Sequence, residues 1–232
     1  KKVCRALLIA AATSAAVALC FVWKSRSDEA AYRTAVHLYE QGRFEQAFAA
    51  FQALRNDPRA ATYLGSMLSE GKGVEKNARR ALAEYERAIA LGSAEANYNA
   101  GVLHLFGSGG DVPANPRKAI SCFETAQRLG SAEAAYNLAV ILGDEQSPFY
   151  DPAKSADMLT FAFERDLPSA QCLMAYQLLT GRSRGQDIER GLDCLVKAAS
   201  QKNPTALVVL GRLHLLGIAT RRDARKAYAC FR

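Results

Sequence analysis

Histidine is scarce in this chain, three in 232 residues, and the three are placed too far apart to work together. His104 and His214 each stand three residues after a glycine, in Gly101-Val-Leu-His104 and Gly211-Arg-Leu-His214, while His37 stands alone. A metal centre needs ligands that converge to about 2 Å from one ion, so no metal site is expected and the matched histidines read as packing residues. Phosphate-binding patterns are missing as well. Gly71-Lys-Gly73 and Gly107-Ser-Gly-Gly110 follow helical stretches rather than strands and lack the spacing of a phosphate loop. Ser69-Glu-Gly-Lys72 has the form Ser-x-x-Lys, the string of penicillin-recognising hydrolases. That chemistry sets the serine at a helix start with the lysine one turn on; here the serine closes a helix and a glycine intervenes. No catalytic residue, metal ligand, cofactor or small-molecule substrate is therefore nominated, and the chain is expected not to be an enzyme.

A concentrated charge of one sign is also lacking. The net charge is +7, but residues 1–30 hold five basic residues against two acidic ones, which leaves only +4 for the other 202 residues. Arg221, Arg222, Arg225 and Lys226 form the one basic cluster, and it reads as a solvated loop and helix start. A nucleic-acid surface gathers its cations on one face, so no nucleic-acid partner is expected. Half of the residues are apolar and 23% are charged, the balance of a folded protein.

Against this background the first thirty residues stand out. Ala6 to Trp23 holds no charge, and eighteen helical residues reach about 27 Å, barely enough for a bilayer core. Arg5 and Lys24 flank the run, and Trp23 lies where an interfacial ring belongs. We expect a basic flank at 1–5, a single transmembrane anchor at 6–23 and a linker at 24–30. A cleaved export signal ending near Ser14-Ala15-Ala16 is the main alternative, although Val17 to Trp23 continues the apolar run beyond it. A lipid-modified Cys20 is disfavoured by Leu19 before it. Positive charges on both sides leave the orientation open. The start at Lys1 and the stop at Arg232 inside a repeat are expected to reflect processing or truncation.

The rest of the chain repeats itself. Small residues recur at 65, 101, 139, 175 and 211, at spacings of 36, 38, 36 and 36 residues. A second anchor follows in each copy, as Arg80-Ala81, Lys118-Ala119, Ser155-Ala156, Arg190-Gly191 and Lys226-Ala227. A period in this range marks stacked helix pairs. In the first copy, Tyr63, Leu64, Met67 and Leu68 fall on one face of a helix over 60–70, with Gly65 as the small residue that lets a second helix approach. Gly71 and Gly73 stop that helix, and a second, near 77–91, buries Ala81, Tyr85, Ala88 and Ile89. All seven prolines fall in connections between these helices.

Six cysteines are present, and Cys122, Cys194 and Cys230 share one repeat position, three residues after 119, 191 and 227. That is the behaviour of a small buried hydrophobe. Cys172 and Cys194 fall opposite each other if their helices are antiparallel. A disulfide between them would need Cα atoms within about 7 Å, closer than the usual 8–10 Å between helix axes, so the pair is a weak candidate. Free thiols argue mildly against an oxidising compartment.

Two resemblances follow from these residues. His37-Leu-Tyr-Glu-Gln-Gly42-Arg-Phe44 with Ala47, Phe51 and Leu54 resembles a tetratricopeptide helix pair, over 31–59. Leu64-Gly65-x-x-Leu68-x-x-Gly71-x-Gly73-Val74 with Arg80-Ala81 and Leu91-Gly92 resembles the Sel-1-like repeat, over 60–232 in five copies, the last incomplete. The chain departs from that pattern at Gly191, which replaces an alanine, and in the copy that ends its first helix at Gly143 and has a longer connection from Asp144 to Pro152. The resemblance implies an all-α, right-handed superhelical solenoid of antiparallel helix pairs that brings other proteins together. Mapped through it, Tyr32, Tyr98, Tyr136 and Tyr176 face the concave side, joined by Val102, Phe106, Val140, Arg212 and Leu216. These would suit a partner helix or extended segment; alternatively, the tyrosines only stack repeat on repeat. The expected role is a membrane-anchored scaffold or accessory subunit whose partners are other subunits of a membrane complex. The mitochondrial inner membrane is the favoured setting, and a bacterial inner membrane with a periplasmic domain is the alternative. An exported soluble binding protein is the competing reading.

Overall fold

The computed structural model describes residues 26–181 and 186–232, and the described residues form helices, turns and loops without a strand. Twelve helices are described: α1 (26–40), α2 (Phe44–Ala53), α3 (Pro58–Glu70), α4 (Ala78–Ala90), α5 (Ala94–Phe106), α6 (Pro116–Arg128), α7 (Ala132–Gly143), α8 (Pro152–Glu164), α9 (Pro168–Thr180), α10 (Ile188–Ser200), α11 (Pro204–Leu216) and α12 (Ala224–Phe231). The chain divides into two compact units, Lys1–Ala119 and Ile120–Arg232, and the division falls within α6. Among the described residues no helix is long and apolar enough to cross a membrane. The expected span at 6–23 and its flank at 1–5 lie outside the described residues.

Residues 26–30, expected as part of a linker, are helical instead. Glu29 explains this locally: it holds Arg33 one turn on at 3.0 Å and Arg59 of α3 at 2.9 Å, so the start of α1 is tied to the next helix pair. Arg59 also bonds Asp57, which caps α3 through the Arg59 amide. Partial burial works against the charge of Asp57, but the bonds from Arg59 hold its carboxyl below the ordinary value. Behind this ion cluster the first unit has an aromatic core. Phe51 is fully buried and stacks on Tyr63 at 4.7 Å, and Tyr39 meets Tyr63 and Phe44 edge-on at 5.3 Å.

Each later helix pair is closed in one way. The amides of Asn77, Asn115, Asp151, Asp187 and Asp223 donate to the carbonyls of Leu68, His104, Leu142, Leu178 and His214, at 2.6 to 2.9 Å. The side chains of the same five residues accept the amides of Arg80, Lys118, Lys154, Arg190 and Lys226. One asparagine or aspartate in each pair therefore both caps the second helix and pins it to the first. Proline opens α3, α6, α8, α9 and α11, where its missing N–H costs nothing.

This register corrects one anchor. In the copy around residue 139 the basic residue after the cap is Lys154, so the pair is Lys154-Ser155 and not Ser155-Ala156. Ser155 takes the buried small position and donates its hydroxyl to the Ala139 carbonyl at 2.7 Å. The longest connection is likewise not the expected one. Residues 144–150 add a single residue, whereas 107–114 add two, which accounts for the one spacing of 38.

The pairs pack by matching a large residue with a small one. A Cβ added to Gly65 would lie 2.4 Å from Cε1 of Tyr85, and one added to Gly211 would lie 2.6 Å from Cε1 of Phe231. Where alanine replaces this glycine, at 139 and 175, leucine replaces the ring, at 159 and 195, and all four are buried in the core of the second unit. Close-packed interiors require such compensation of volume.

Candidate functional site

The most specific surface is a groove in the second unit. It encloses about 430 Å³ and runs along one face of α9, where Ser169, Cys172, Leu173, Tyr176, Leu179 and Thr180 follow one another at helical spacing. Tyr136 of α7, Leu195 of α10 and Val209 of α11 complete its apolar walls, with Asn203 and Thr205 at one end. None of the thirteen residues of α9 is charged; α7 contributes only Glu133, and α11 only Arg212 as a permanent charge.

Two titratable groups in the groove, Cys172 and Tyr136, are held neutral. Burial pushes the Cys172 thiol up, against a weaker opposing pull from the Ala206 amide, and the thiol donates to Asn203 Oδ1 at 3.5 Å. Burial also raises the Tyr136 hydroxyl, helped by the neighbouring Cys172. Both shifts oppose ionisation at neutral pH. Asn203 Oδ1 in turn caps α11 through the Ala206 amide, so its oxygen is engaged within the fold. The groove can bind apolar surface; among the described residues its lining holds no charged side chain and no cluster of metal ligands.

The predicted concave residues divide. Tyr136 and Tyr176 meet in the groove, with Tyr176 48% exposed. Val140, Arg212 and Leu216 are exposed on α7 and α11 outside its lining. Tyr98 and Val102 are half-buried on α5 in the first unit, and Phe106 beside them is 75% exposed. Tyr32 is a packing residue: it contacts Phe51 and Tyr63 at ring distances of 6.1 and 6.3 Å, and Arg59 lies 3.9 Å from its ring centre. Burial, with Tyr63 nearby, pushes its hydroxyl up to about 12. Leu173, Leu179 and Val209 were not nominated from the sequence, and Cys172 only as a disulfide candidate, yet a signal was available in the unbroken absence of charge from 168 to 180.

The weak disulfide candidate is not formed; Cys172 and Cys194 are free thiols. They lie on opposite sides of the α9/α10 pair. Cys172 lines the groove, whereas Cys194 lines a separate cavity of about 400 Å³ with Thr160, Phe163 and Met174. Ser69 and Lys72 are also parted. The serine hydroxyl donates to the Ser66 carbonyl, while Lys72 Nζ bonds the Tyr39 hydroxyl and Glu70. His104 and His214 each have a buried Nδ1 without a hydrogen-bond partner among the described residues, and each carbonyl closes its own helix pair. Among the described residues no three potential ligands cluster to hold a metal.

The Sel1 repeat model matches residues 58–93, 94–131, 132–166, 168–203 and 204–232, most of the chain. The chain belongs to the Sel1 repeat family. Sel1 repeat proteins mediate protein–protein interactions. Among solved structures, a Sel1 repeat protein from Oxalobacter formigenes is 22% identical, with a TM-score of 0.74 over 86% of this chain and 81% of its own. A protective antigen present in uropathogenic Escherichia coli strains is 25% identical, with a TM-score of 0.72 over 86% of this chain but only 44% of its own. An immunity protein from Pseudomonas aeruginosa shares the fold at 16% identity, with a TM-score of 0.61 over 88% of this chain and 80% of its own. Among curated proteins no sequence match was found.

Proposed function

We propose that this Sel1 repeat protein is a non-enzymatic adaptor that docks a segment of another protein in the groove along α9. The observation that carries the reading is the uncharged, partly aromatic groove of about 430 Å³, with the half-exposed ring of Tyr176 in its wall. Exposed aromatic and aliphatic surface in a concave site is what a protein anchor uses. Its repeat-by-repeat construction supplies a wall of parallel helices rather than a closed pocket for a small substrate. The charge-free run at 6–23 supports attachment of the repeats to a membrane, and with it a place among the subunits of a membrane complex. The mitochondrial inner membrane and the bacterial inner membrane are the two settings for such a complex.

Affinity purification of the full chain, compared with Tyr176→Ala and Val209→Ala, tests the reading. Loss of one shared partner with unchanged helicity is expected; retention of every partner by both variants would sink it. Attachment is tested separately by intact mass on membrane-extracted protein. A chain that begins beyond Ala16 would exclude the anchor and favour the exported soluble form.

A further inference from the structure

The groove selects among protein segments, and its charge and hydrogen-bonding capacity define the selection. It extends from Ser169 to Thr180 along α9, and eleven steps of 1.5 Å give about 16 Å, three turns of a helix. An extended occupant of that length would bring about five residues, each with a main-chain donor and acceptor to be satisfied. The Cys172 thiol donates to Asn203 and the hydroxyls of Tyr136 and Tyr176 lie on the walls; the other polar side chains stand at the ends: Ser169, Asn203 and Thr205 where α9 and α11 begin, and Thr180 where α9 stops. Between them Leu173, Tyr176, Leu179, Leu195 and Val209 offer no amide, carboxylate or cation. An occupant that already satisfies its own main chain meets no penalty there, and a helix does so. A charged side chain facing the same walls would be buried without a partner, which is costly for either sign.

Resting on the docking role proposed above, we infer that the partner segment is an amphipathic α-helix of about three turns whose groove-facing positions are apolar or small and carry no charge. The selectivity is against both signs at once, because no acid or cation lines the groove: α7, α9 and α11 present one acid and one permanent cation between them, and the four charged residues of α10 also lie outside the lining.

The test places a photo-crosslinking amino acid at Tyr176 or at Thr205 in the full chain, inside its native cells, and sequences the adducts. Both positions are exposed. Adducts are expected in a polypeptide stretch with apolar residues every three or four positions and none charged on that face. That stretch, made as a synthetic peptide, should bind the full chain and lose affinity by about 100-fold against both Tyr176→Glu and Tyr176→Lys, with far-UV circular dichroism unchanged. A proline at its centre should abolish binding. Adducts on a charged face, tighter binding to either charged variant, or undiminished binding of the proline peptide would each overturn the inference while leaving the docking role intact. No polypeptide adduct at either position would overturn both.

Discussion

Gly65 and Tyr85 make the packing rule quantitative. A methyl group at position 65 would sit 2.4 and 2.5 Å from two ring carbons of Tyr85, and carbon atoms rest at about 3.5–4.0 Å, so the ring must move by about 1 Å. Tyr85 is 3% exposed, and its hydroxyl is held by Ser66 at 3.2 Å, so it has no open space to move into. Overpacking of this kind costs about 1–3 kcal/mol, while alanine returns about 1 kcal/mol of helix propensity over glycine. Gly65→Ala should therefore destabilise by about 0–2 kcal/mol. Tyr85→Leu alone should cost about 2–4 kcal/mol through the cavity and the lost Ser66 bond. The double variant reproduces the Ala175–Leu195 pair already present in the second unit. It should cost about 2 kcal/mol less than the sum of the single changes. Urea unfolding of the four proteins, followed by circular dichroism, gives the coupling. Additivity within about 0.5 kcal/mol would refute the volume-matching argument, as would a Gly65→Ala protein that gains the full helix-propensity benefit. The same substitution at Gly211 is the control: Phe231 is 50% exposed and can swing aside, so Gly211→Ala should be near neutral.

Other perturbations have equally definite outcomes. Burial, reinforced by Lys118 and partly opposed by Glu86, lowers the His104 pKa in the folded state. The folded state then binds fewer protons than the unfolded state, so stability is full above about pH 6.5 and falls as the pH drops through the folded value. His104→Leu, which copies Leu68, Leu142 and Leu178, should remove that loss; pH-dependent thermal melts between pH 7 and 5 would show it. Lys202 holds φ at +59°, where Gly92 and Gly130 stand in other copies. Lys202→Gly should raise the unfolding free energy by about 0.5–1 kcal/mol, and an unchanged denaturation midpoint would contradict this. Asp187 caps α10 through the Arg190 amide, so Asp187→Ala should cost about 1 kcal/mol, with Asp187→Asn close to neutral. Gly73→Ala should be the most damaging small change: a Cβ there meets the Phe44 main chain at 2.3 Å and the backbone is left-handed. Soluble expression against wild type would reveal it.

Helix pairing was legible because glycine, alanine and proline recur at a fixed period, and such punctuation reflects backbone geometry. The buried faces followed from the same register. One anchor was misread because Ser155 and Ala156 are both small, and only the Asp151 cap shows which of them packs. Residues 26–30 read as linker because the Glu29–Arg33 pair alone is a weak helix signal, and the bond that ties Glu29 to the next helix pair comes from Arg59, thirty residues away. The groove was half visible. Tyr136 and Tyr176, picked by position in the repeat, both line it, but equal repeat positions do not have equal surroundings, and Tyr32 packs half-buried against Phe51 and Tyr63 where Tyr176 is exposed. The disulfide candidate failed for a related reason: sequence places two residues opposite along an axis but says little about which side of a helix pair each one faces.

The bond from the cap amide to the carbonyl of the preceding helix uses main-chain atoms only, and it is made whether eight residues lie between its two ends, as in four copies, or ten, as between His104 and Asn115. The turns are thereby released from holding the helices in place. Apart from closely packed positions such as Gly73, Gly107 and Val112, their side chains can be rewritten, and their length changed, without breaking that bond. The 107–114 connection, already two residues longer than most, is thus the natural place to insert a reporter or a second recognition loop.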